Sequence, residues 1–343
     1  MKKTSKKHGK IKIGLIGGGY WGQNHARVLS EINCNFVGIA DTDPAKQALA
    51  DQYHVPYFNS YQKLILQTDA VIVVTPPQTH YAITKAALSA GKHVLVEKPI
   101  TTKLFQAKRL VSLAKIKHLQ LAAGHVFLYT PAYQYIKSVI KNKELGEIYY
   151  IYSRRVNFGI IRSDVNVIDN LIPHDLSIVV DLLGKPLSVQ AFGYDLIQPG
   201  IHDIGFIHLK YPKKVSVHIH LSWLDPQKQR QLIIVGSKKM LIWDDTNKDQ
   251  PIEIHDKSFT VPDQLHQLKT WKSFQDFKII TTAGEITHPK ILLKEPLKLE
   301  VSQFINDINN HTPSISGGKH VIIVTSISQA IQKSIAKSRL TKI

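Results

Sequence analysis

Among its 343 residues the chain has a single cysteine, Cys34, and two methionines. One thiol excludes an internal disulfide and any zinc site built on cysteine pairs. Its place just ahead of a predicted strand reads as that of a small packing residue. No apolar run approaches the ~20 residues needed to cross a bilayer as a helix. The opening MKKTSKKHGK is charged but leads into no signal-type apolar segment, so the cytoplasm is the expected location. Acidic residues are scarce, 26 against 44 Lys and Arg, for a formal net charge of +18. That excess raises nucleic acid as a partner. Beyond the first ten residues, however, the lysines are scattered over helices and loops with no basic stripe and no interleaved aromatics, so specific nucleic-acid binding is not expected. The charge suits an anionic small molecule better. Also absent are H-E-x-x-H, G-x-S-x-G and the P-loop, which removes any sequence case for a metalloprotease, a serine hydrolase or a P-loop NTPase. There is no internal repeat.

What is present is organised around Ile11–Asp41. The apolar run Ile11–Ile16 leads into three glycines spaced G-x-G-x-x-G: Gly17, Gly19 and Gly22. Gly17 permits a tight turn off the strand, Gly19 lets backbone approach a pyrophosphate, and Gly22 lets the next helix pack closely. That helix, from about Trp21 to Glu31, aims its unpaired N–H groups and positive dipole end at the phosphates. A second apolar run, Phe36–Ala40, ends in Asp41, whose carboxylate can accept from a ribose diol and repels a 2′-phosphate. The ordered set of strand, turn, helix, strand and acid predicts a dinucleotide site and favours NAD.

Apolar strand runs then alternate with helices as far as Leu121–Ala123: Pro44–Gln52 as a helix with Asp43 as N-cap, Ala70–Val74 as a buried strand, a helix from Gln78, strand His93–Val96, and a helix over about Thr102–Ile116. This predicts a doubly wound parallel α/β sheet, a Rossmann domain over residues 1–125, with ligands at the carboxyl ends of the strands. Thr75-Pro76-Pro77, Glu97-Lys98-Pro99 and His125 fall at those ends. Residues 126–343 read differently. After a helix from Pro131 and another ending at Gly184 come strand candidates with little helix between them, the clearest being Val215–Trp223 with strict alternation. Near the end, Leu297, Val301, Phe304, Ile305 and Ile308 share one helical face. The second domain is therefore expected to be α+β on a mainly antiparallel sheet.

Lys98 stands at a strand end on the edge where a nicotinamide belongs; it can donate to a substrate hydroxyl, or accept its proton once burial lowers its pKa. His174 is the second acid/base candidate. It lies four residues after Asn170, so the two share a helical face. Arg154, Arg155 and Arg162 are candidates for a diphosphate or sugar carboxylate. His218 and His220 share a strand face at a spacing a metal can use, but no acidic or cysteine ligand accompanies them, and no metal site is expected.

With these residues in place, the chain resembles the glucose–fructose oxidoreductase/inositol dehydrogenase (Gfo/Idh/MocA) family along nearly its whole length. The motifs that carry the resemblance are GGGYWGQNH at 17–25, Asp41, TPPQTHY at 75–81, EKPI at 97–100, GHVFLYTPAY at 124–133, and the late segments LSWLDPQKQRQLIIVGSKKM and EPLKLEVSQFI. The resemblance implies a Rossmann domain followed by an open-faced antiparallel sheet that commonly mediates oligomerisation, here a homodimer or homotetramer. It implies NAD held by Gly17, Gly19, Tyr20, Trp21, Gly22, Asp41, Thr75, Pro76, His80, Glu97, Lys98 and His125. It also implies Lys98 as an active-site residue, often with a cis bond before Pro99, and Tyr129, Arg154, Arg162 and Asn170 toward substrate. The segment SRRVNFGIIRSDVNVIDNLIPHDLSIVVDLLG looks like the branch of nucleotide-sugar 3-dehydrogenases of the UDP-N-acetylglucosamine type. These oxidise the C3 hydroxyl to a ketone, which an aminotransferase then aminates in amino-sugar and surface-polysaccharide synthesis. The branch pattern is D-L-A-P-H-D. Aligning Pro173-His174-Asp175 puts Asn170 where that pattern has its aspartate, and Asp169 is one residue off. Either Asn170 suffices for orientation, or Asp169 substitutes through a local shift, or turnover is impaired; the alternative reading is a non-catalytic NAD-binding sensor of the same fold.

Overall fold

A computed structural model describes residues 10–159, 161–260 and 280–343. Two sheets organise it. Sheet A contains β1 (Lys12–Ile16), β2 (Asn35–Ala40), β3 (Tyr57–Phe58), β4 (Ala70–Val73), β5 (His93–Val96) and β6 (Leu121–Ala123). All pair in parallel, in the order β3-β2-β1-β4-β5-β6. Order reverses at β1, the switch point of a doubly wound sheet. The crossovers run through α1 (Tyr20–Glu31), α2 (Gln47–Gln52), α3 (Tyr61–Ile65), α4 (Pro77–Ser89) and α5 (Leu104–Ile116).

Local chemistry accounts for several boundaries. Asp43 caps as expected, its side chain accepting from Ala45 N at 3.0 Å. Where one helix is expected over Pro44–Gln52, the chain instead makes a 3-10 turn, Pro44–Lys46, before α2. Pro77, one residue ahead of the expected helix start at Gln78, is the first residue of α4, a position where its missing N–H is no loss.

Two apolar layers cover sheet A. One joins Val71, Val73, Val94 and Val96 to Ile83, Ala87, Leu88, Ala107 and Leu110 of α4 and α5. The other joins Ile13, Leu15, Ile72 and Leu95 to Ala26, Val28 and Leu29 of α1 and to Leu297, Val301, Phe304 and Ile308 of a late helix, α8 (Pro296–Asn310). The compact unit built on this sheet comprises residues through Thr130, Leu176–Gly184 and Lys294–Gln329.

The second unit comprises Pro131–Asp175, Lys185–Leu293 and Ala330–Ile343. Its sheet B contains β7 (Ile148–Phe158), β8 (Ser188–Tyr194), β9 (Ile204–Lys210), β10 (Ser216–Ser222), β11 (Leu224–Gly236), β12 (Met240–Asp244), β13 (Ile252–Thr260), β14 (Ile280–Thr287) and the short β15 (Thr341–Lys342). The order is β14-β13-β12-β11-β7-β10-β9-β8-β15, and the pairing is antiparallel except for β10 beside β7. In β10, Val217, Ile219 and Leu221 are buried while Ser216, His218 and His220 face the other way, as the alternation predicts. The remaining helices are α6 (Pro131–Lys141), α7 (Val167–Leu183), which Gly184 follows at φ +76°, and α9 (Gly318–Lys337). Among the described residues no helix is long and apolar enough to cross a membrane.

Candidate active site

The glycine loop between β1 and α1 has the close contacts that its spacing predicts. Gly17 sits at φ +105°, and a Cβ there would lie 2.5 Å from the Val74 carbonyl oxygen. A Cβ on Gly22 would lie 2.2 Å from the Gly17 carbonyl oxygen. Only glycine fits both places. Gly19 differs: nothing lies within 4 Å of its would-be Cβ. It caps α1 without a side-chain hydrogen bond, and the first turn holds no acidic residue. An uncapped helix N-terminus opening past a bare glycine is the donor set that a pyrophosphate needs. Tyr20 and Trp21, which follow, are exposed and meet edge to face with ring centroids 5.8 Å apart. At the end of β2, Asp41 accepts from Gly18 N at 2.6 Å and from Asp43 N at 2.9 Å. The carboxylate is thereby held against the loop.

The ends of β4, β5 and β6 supply the rest of this edge. His80 on α4 is buried, and its two ring nitrogens lie 2.8 Å from the Pro99 carbonyl and 2.7 Å from the Thr75 carbonyl. Both are occupied by backbone, so His80 joins two strand ends and does not reach outward to a cofactor as expected. Thr75 is half-buried and Pro76 exposed beside it. At the end of β5, Glu97 accepts from His25 of α1 at 3.1 Å and from Lys98 N at 3.1 Å. Burial opposes ionisation of Glu97, but the hydrogen bond from His25 and the nearby Lys98 outweigh it and hold the carboxyl below its usual range. Lys98 is half-buried, and its bond to Pro99 is cis. His125, after β6, is buried; burial, then His320 and Lys98, push its imidazole well below the ordinary histidine range, so it is neutral.

Behind this edge lies a group that sequence reasoning passed over. Glu300 of α8 is 1% exposed, and among the described residues neither carboxyl oxygen has a hydrogen-bond partner. Burial and the charge on Glu97 raise it well above the usual carboxylate range. The two acids are shifted in opposite directions, Glu97 toward its ionised form and Glu300 toward its protonated form. The only sequence signal for Glu300 is an acid on the apolar stripe of EPLKLEVSQFI.

Tyr129 is 8% exposed, and its hydroxyl bonds Ser316 at 2.9 Å and Ser314 at 3.2 Å. It braces a loop, which corrects its expected place beside a substrate. In the second unit, α7 brings Asn170 and His174 to one helical face as predicted, both half-buried. Asp169 is held elsewhere, by Asn166 at 2.9 Å and by Gln332 at 2.7 Å. The local shift that would let it replace Asn170 does not occur. Alternation along β7 separates the neighbouring arginines. Ser153 and Arg155 meet Asp175 of α7, whereas Arg154 projects to the other face and pairs with Asp225 at 3.1 Å. Arg162 lies on the surface, paired with Asp164 at 2.6 Å. His218 and His220 lie on the open face of sheet B, where His218 faces His208 and His220 stacks on Phe206, with centroids 4.4 and 4.5 Å apart. Among the described residues no group of three or more His, Cys, Asp or Glu side chains is placed to hold a metal.

Two domain models of one family match in succession: the oxidoreductase family with an NAD-binding Rossmann fold over residues 11–125, and the C-terminal domain of the same family over 133–242. The chain belongs to the Gfo/Idh/MocA oxidoreductase family. It is an NAD-binding oxidoreductase by that membership, and the glycine loop lies within the matched NAD-binding domain. Among individual relatives, UDP-N-acetylglucosamine 3-dehydrogenase of Acidithiobacillus ferrooxidans is 34% identical over 186 residues, which are 53% of this chain and 58% of that protein. Inositol 2-dehydrogenase of Rhizobium meliloti is 24% identical across 96% of this chain and 98% of that one. A solved structure of the Acidithiobacillus enzyme superposes with a TM-score of 0.81 at 23% identity, covering 96% of this chain and 99% of that chain. The superposition establishes the shared fold.

Proposed function

We propose that this oxidoreductase oxidises a secondary hydroxyl of a sugar, the C3 hydroxyl of a UDP-activated N-acetylhexosamine, in amino-sugar and surface-polysaccharide synthesis. The carrying observation is the 3.1 Å contact of His25 with Glu97. It ties the helix of the glycine loop to the residue before Lys98, so the cofactor edge and the one half-buried lysine of the Glu97-Lys98-Pro99 turn belong to one rigid corner. Bound NAD supplies a two-electron hydride acceptor at that corner. Lys98 holds the sugar hydroxyl and, as the neutral amine, accepts the hydroxyl proton as the carbinol carbon is oxidised. His174 shares that proton work, and Asn170 on the same helical face orients it through a hydrogen bond. Asp41 favours NAD by accepting from the ribose diol. The ketone product suits an aminotransferase downstream, and the protein acts in the cytoplasm on this reading. Self-association as a homodimer or homotetramer is assigned to the open face of sheet B, where Tyr150, Phe192, Tyr194 and Phe206 are exposed.

The test is to purify the protein, identify any retained dinucleotide and follow NADH formation with a panel of UDP-sugars. Turnover with a UDP-N-acetylhexosamine that disappears in Lys98→Ala is the expected result. Bound NAD without turnover of any sugar overturns the reading in favour of a sensor, an alternative that Asn170 keeps in view because an amide brings no charge to His174.

A further inference from the structure

Helix α7 contains a proline, Pro173, inside its span. Proline has no N–H, so the carbonyl of Asp169 loses its backbone rung, and the ring crowds that carbonyl. The first turn of α7, which bears Asn170, is therefore joined to His174 and the rest of the helix by fewer backbone bonds than usual. Side chains fasten both sides of the break. Before it, Asn166 Oδ1 accepts from Asp169 N at 2.8 Å while its Nδ2 donates to Asp169 Oδ2 at 2.9 Å, a reciprocal cap. Gln332 Nε2 donates to the other oxygen of Asp169 at 2.7 Å. After the break, Asp175 receives Ser153 Oγ at 2.7 Å, Arg155 Nε at 3.1 Å and a second Arg155 nitrogen at 3.4 Å.

This second fastening is buried: Asp175 is 2% exposed and Arg155 8%. The desolvation cost of such a pair offsets most of its attraction, so it adds little to stability. Its effect is geometric. A guanidinium meeting both oxygens of a carboxylate, with a hydroxyl on one of them, leaves that carboxylate little freedom to rotate. The residue so held is the immediate neighbour of His174.

We propose that Asp175 is a positioning residue: gripped by Arg155 and Ser153 of β7, it fixes the Asn170–His174 turn across the proline break and so orients the His174 imidazole for proton transfer. This rests on the reading of His174 as an acid/base residue. Proline removes one rung from the ladder of this turn, and the grip on Asp175 supplies a side-chain constraint next to His174. A misplacement of about 1 Å at a reacting group costs on the order of 100-fold in rate.

The experiment uses the full chain with Asp175→Asn, which keeps the shape and the Ser153 contact, and a double variant, Arg155→Met with Asp175→Leu, which removes both buried charges together. His174→Gln is the reference, and NAD binding reports the folded fraction. The expected result is kcat per NAD-binding molecule lowered about tenfold in Asp175→Asn and on the order of 100-fold in the double variant, with KM for the sugar changed less than about threefold. Native kcat in both variants, while His174→Gln is impaired, overturns the proposal; so does a loss that only tracks the folded fraction. If His174→Gln is unimpaired or no sugar is turned over, the reading of His174 is what fails. The grip is then judged on the His174 imidazole NMR signal, assigned by its absence in His174→Gln. A changed chemical shift and titration in Asp175→Asn upholds it, and an unchanged signal overturns it.

Discussion

Phe304 lies on α8, far along the chain from the glycine motif, yet it is 1% exposed in an apolar cluster with Ile13, Leu15, Leu29, Ile72 and Leu95. Replacing it with alanine removes a phenyl ring from between sheet A and its covering helix. Truncation of a fully buried Phe costs about 3–5 kcal/mol, the lost transfer energy plus the cavity left behind. For a unit of this size, each kcal/mol moves the midpoint by about 2–4 °C, so the midpoint should fall by about 6–20 °C. The transition affected must be the one that NAD protects, because the cluster also holds β1 and α1, between which the glycine loop runs. NAD at one hundred times its Kd adds about 2.7 kcal/mol to that transition. Scanning calorimetry of Phe304→Ala with and without NAD provides the measurement. A loss below about 1 kcal/mol, or a fall confined to a transition that NAD leaves unmoved, refutes the placing of α8 in the cofactor-binding unit.

Three further outcomes follow from the same geometry. Gly22→Ala sets a methyl group 2.2 Å from the Gly17 carbonyl oxygen; overpacking of this kind costs about 1–3 kcal/mol, and the Kd for NAD by calorimetric titration should rise by about 10- to 100-fold. Asp41→Ser removes the negative charge that opposes a 2′-phosphate, so the preference for NAD over NADP should fall at least about tenfold in parallel titrations; an unchanged ratio refutes the role given to Asp41. Glu300 is raised by burial and by Glu97, so the folded chain retains a proton that the unfolded chain releases above about pH 4.3. Stability tied to this proton is present below that pH and is lost as pH rises toward the raised value of Glu300. Glu300→Gln abolishes the loss, so its stability relative to the native chain, by urea denaturation, should increase from pH 4 to pH 8; a pH-independent difference refutes a neutral Glu300.

The parts of this site that the sequence discloses are those made by local chemistry. Gly17, Gly19, Gly22 and Asp41 can be read directly because a turn, a bare backbone and a strand-end acid each require a residue type at a fixed separation. The parallel strands are legible because strands buried on both faces become apolar runs, and β10 because burial on one face leaves an alternating trace. Tertiary pairing has no such trace. The stripe of Leu297, Val301, Phe304 and Ile308 announces an apolar face without naming sheet A as what it covers. Arg154 and Arg155 look equivalent in the sequence, and alternation says only that they part company; which one faces α7 depends on where that helix lies. His80 and Tyr129 have the chemistry of ligand contacts, yet their polar atoms bond backbone carbonyls and serines that the fold brings to them.

Asn170 shows the same division and leads to the sharpest functional test. The sequence leaves open whether Asp169 supplies the carboxylate expected four residues before His174. The structure closes that route, because both Asp169 oxygens are engaged by Asn166 and Gln332, on a face about 100° from that of Asn170. The residue sharing the face of His174 is an amide, able to hydrogen-bond but not to favour an imidazolium by charge. Restoring the charge with Asn170→Asp stabilises the protonated form of His174 and raises its pKa. A base must lose its proton before it can act, so the acidic limb of the kcat profile should move to higher pH, while the rate on the plateau should be maintained or increased. A profile unmoved by Asn170→Asp, in a protein that still binds NAD and turns over sugar, removes His174 from the proton transfer and leaves Lys98 to perform it alone.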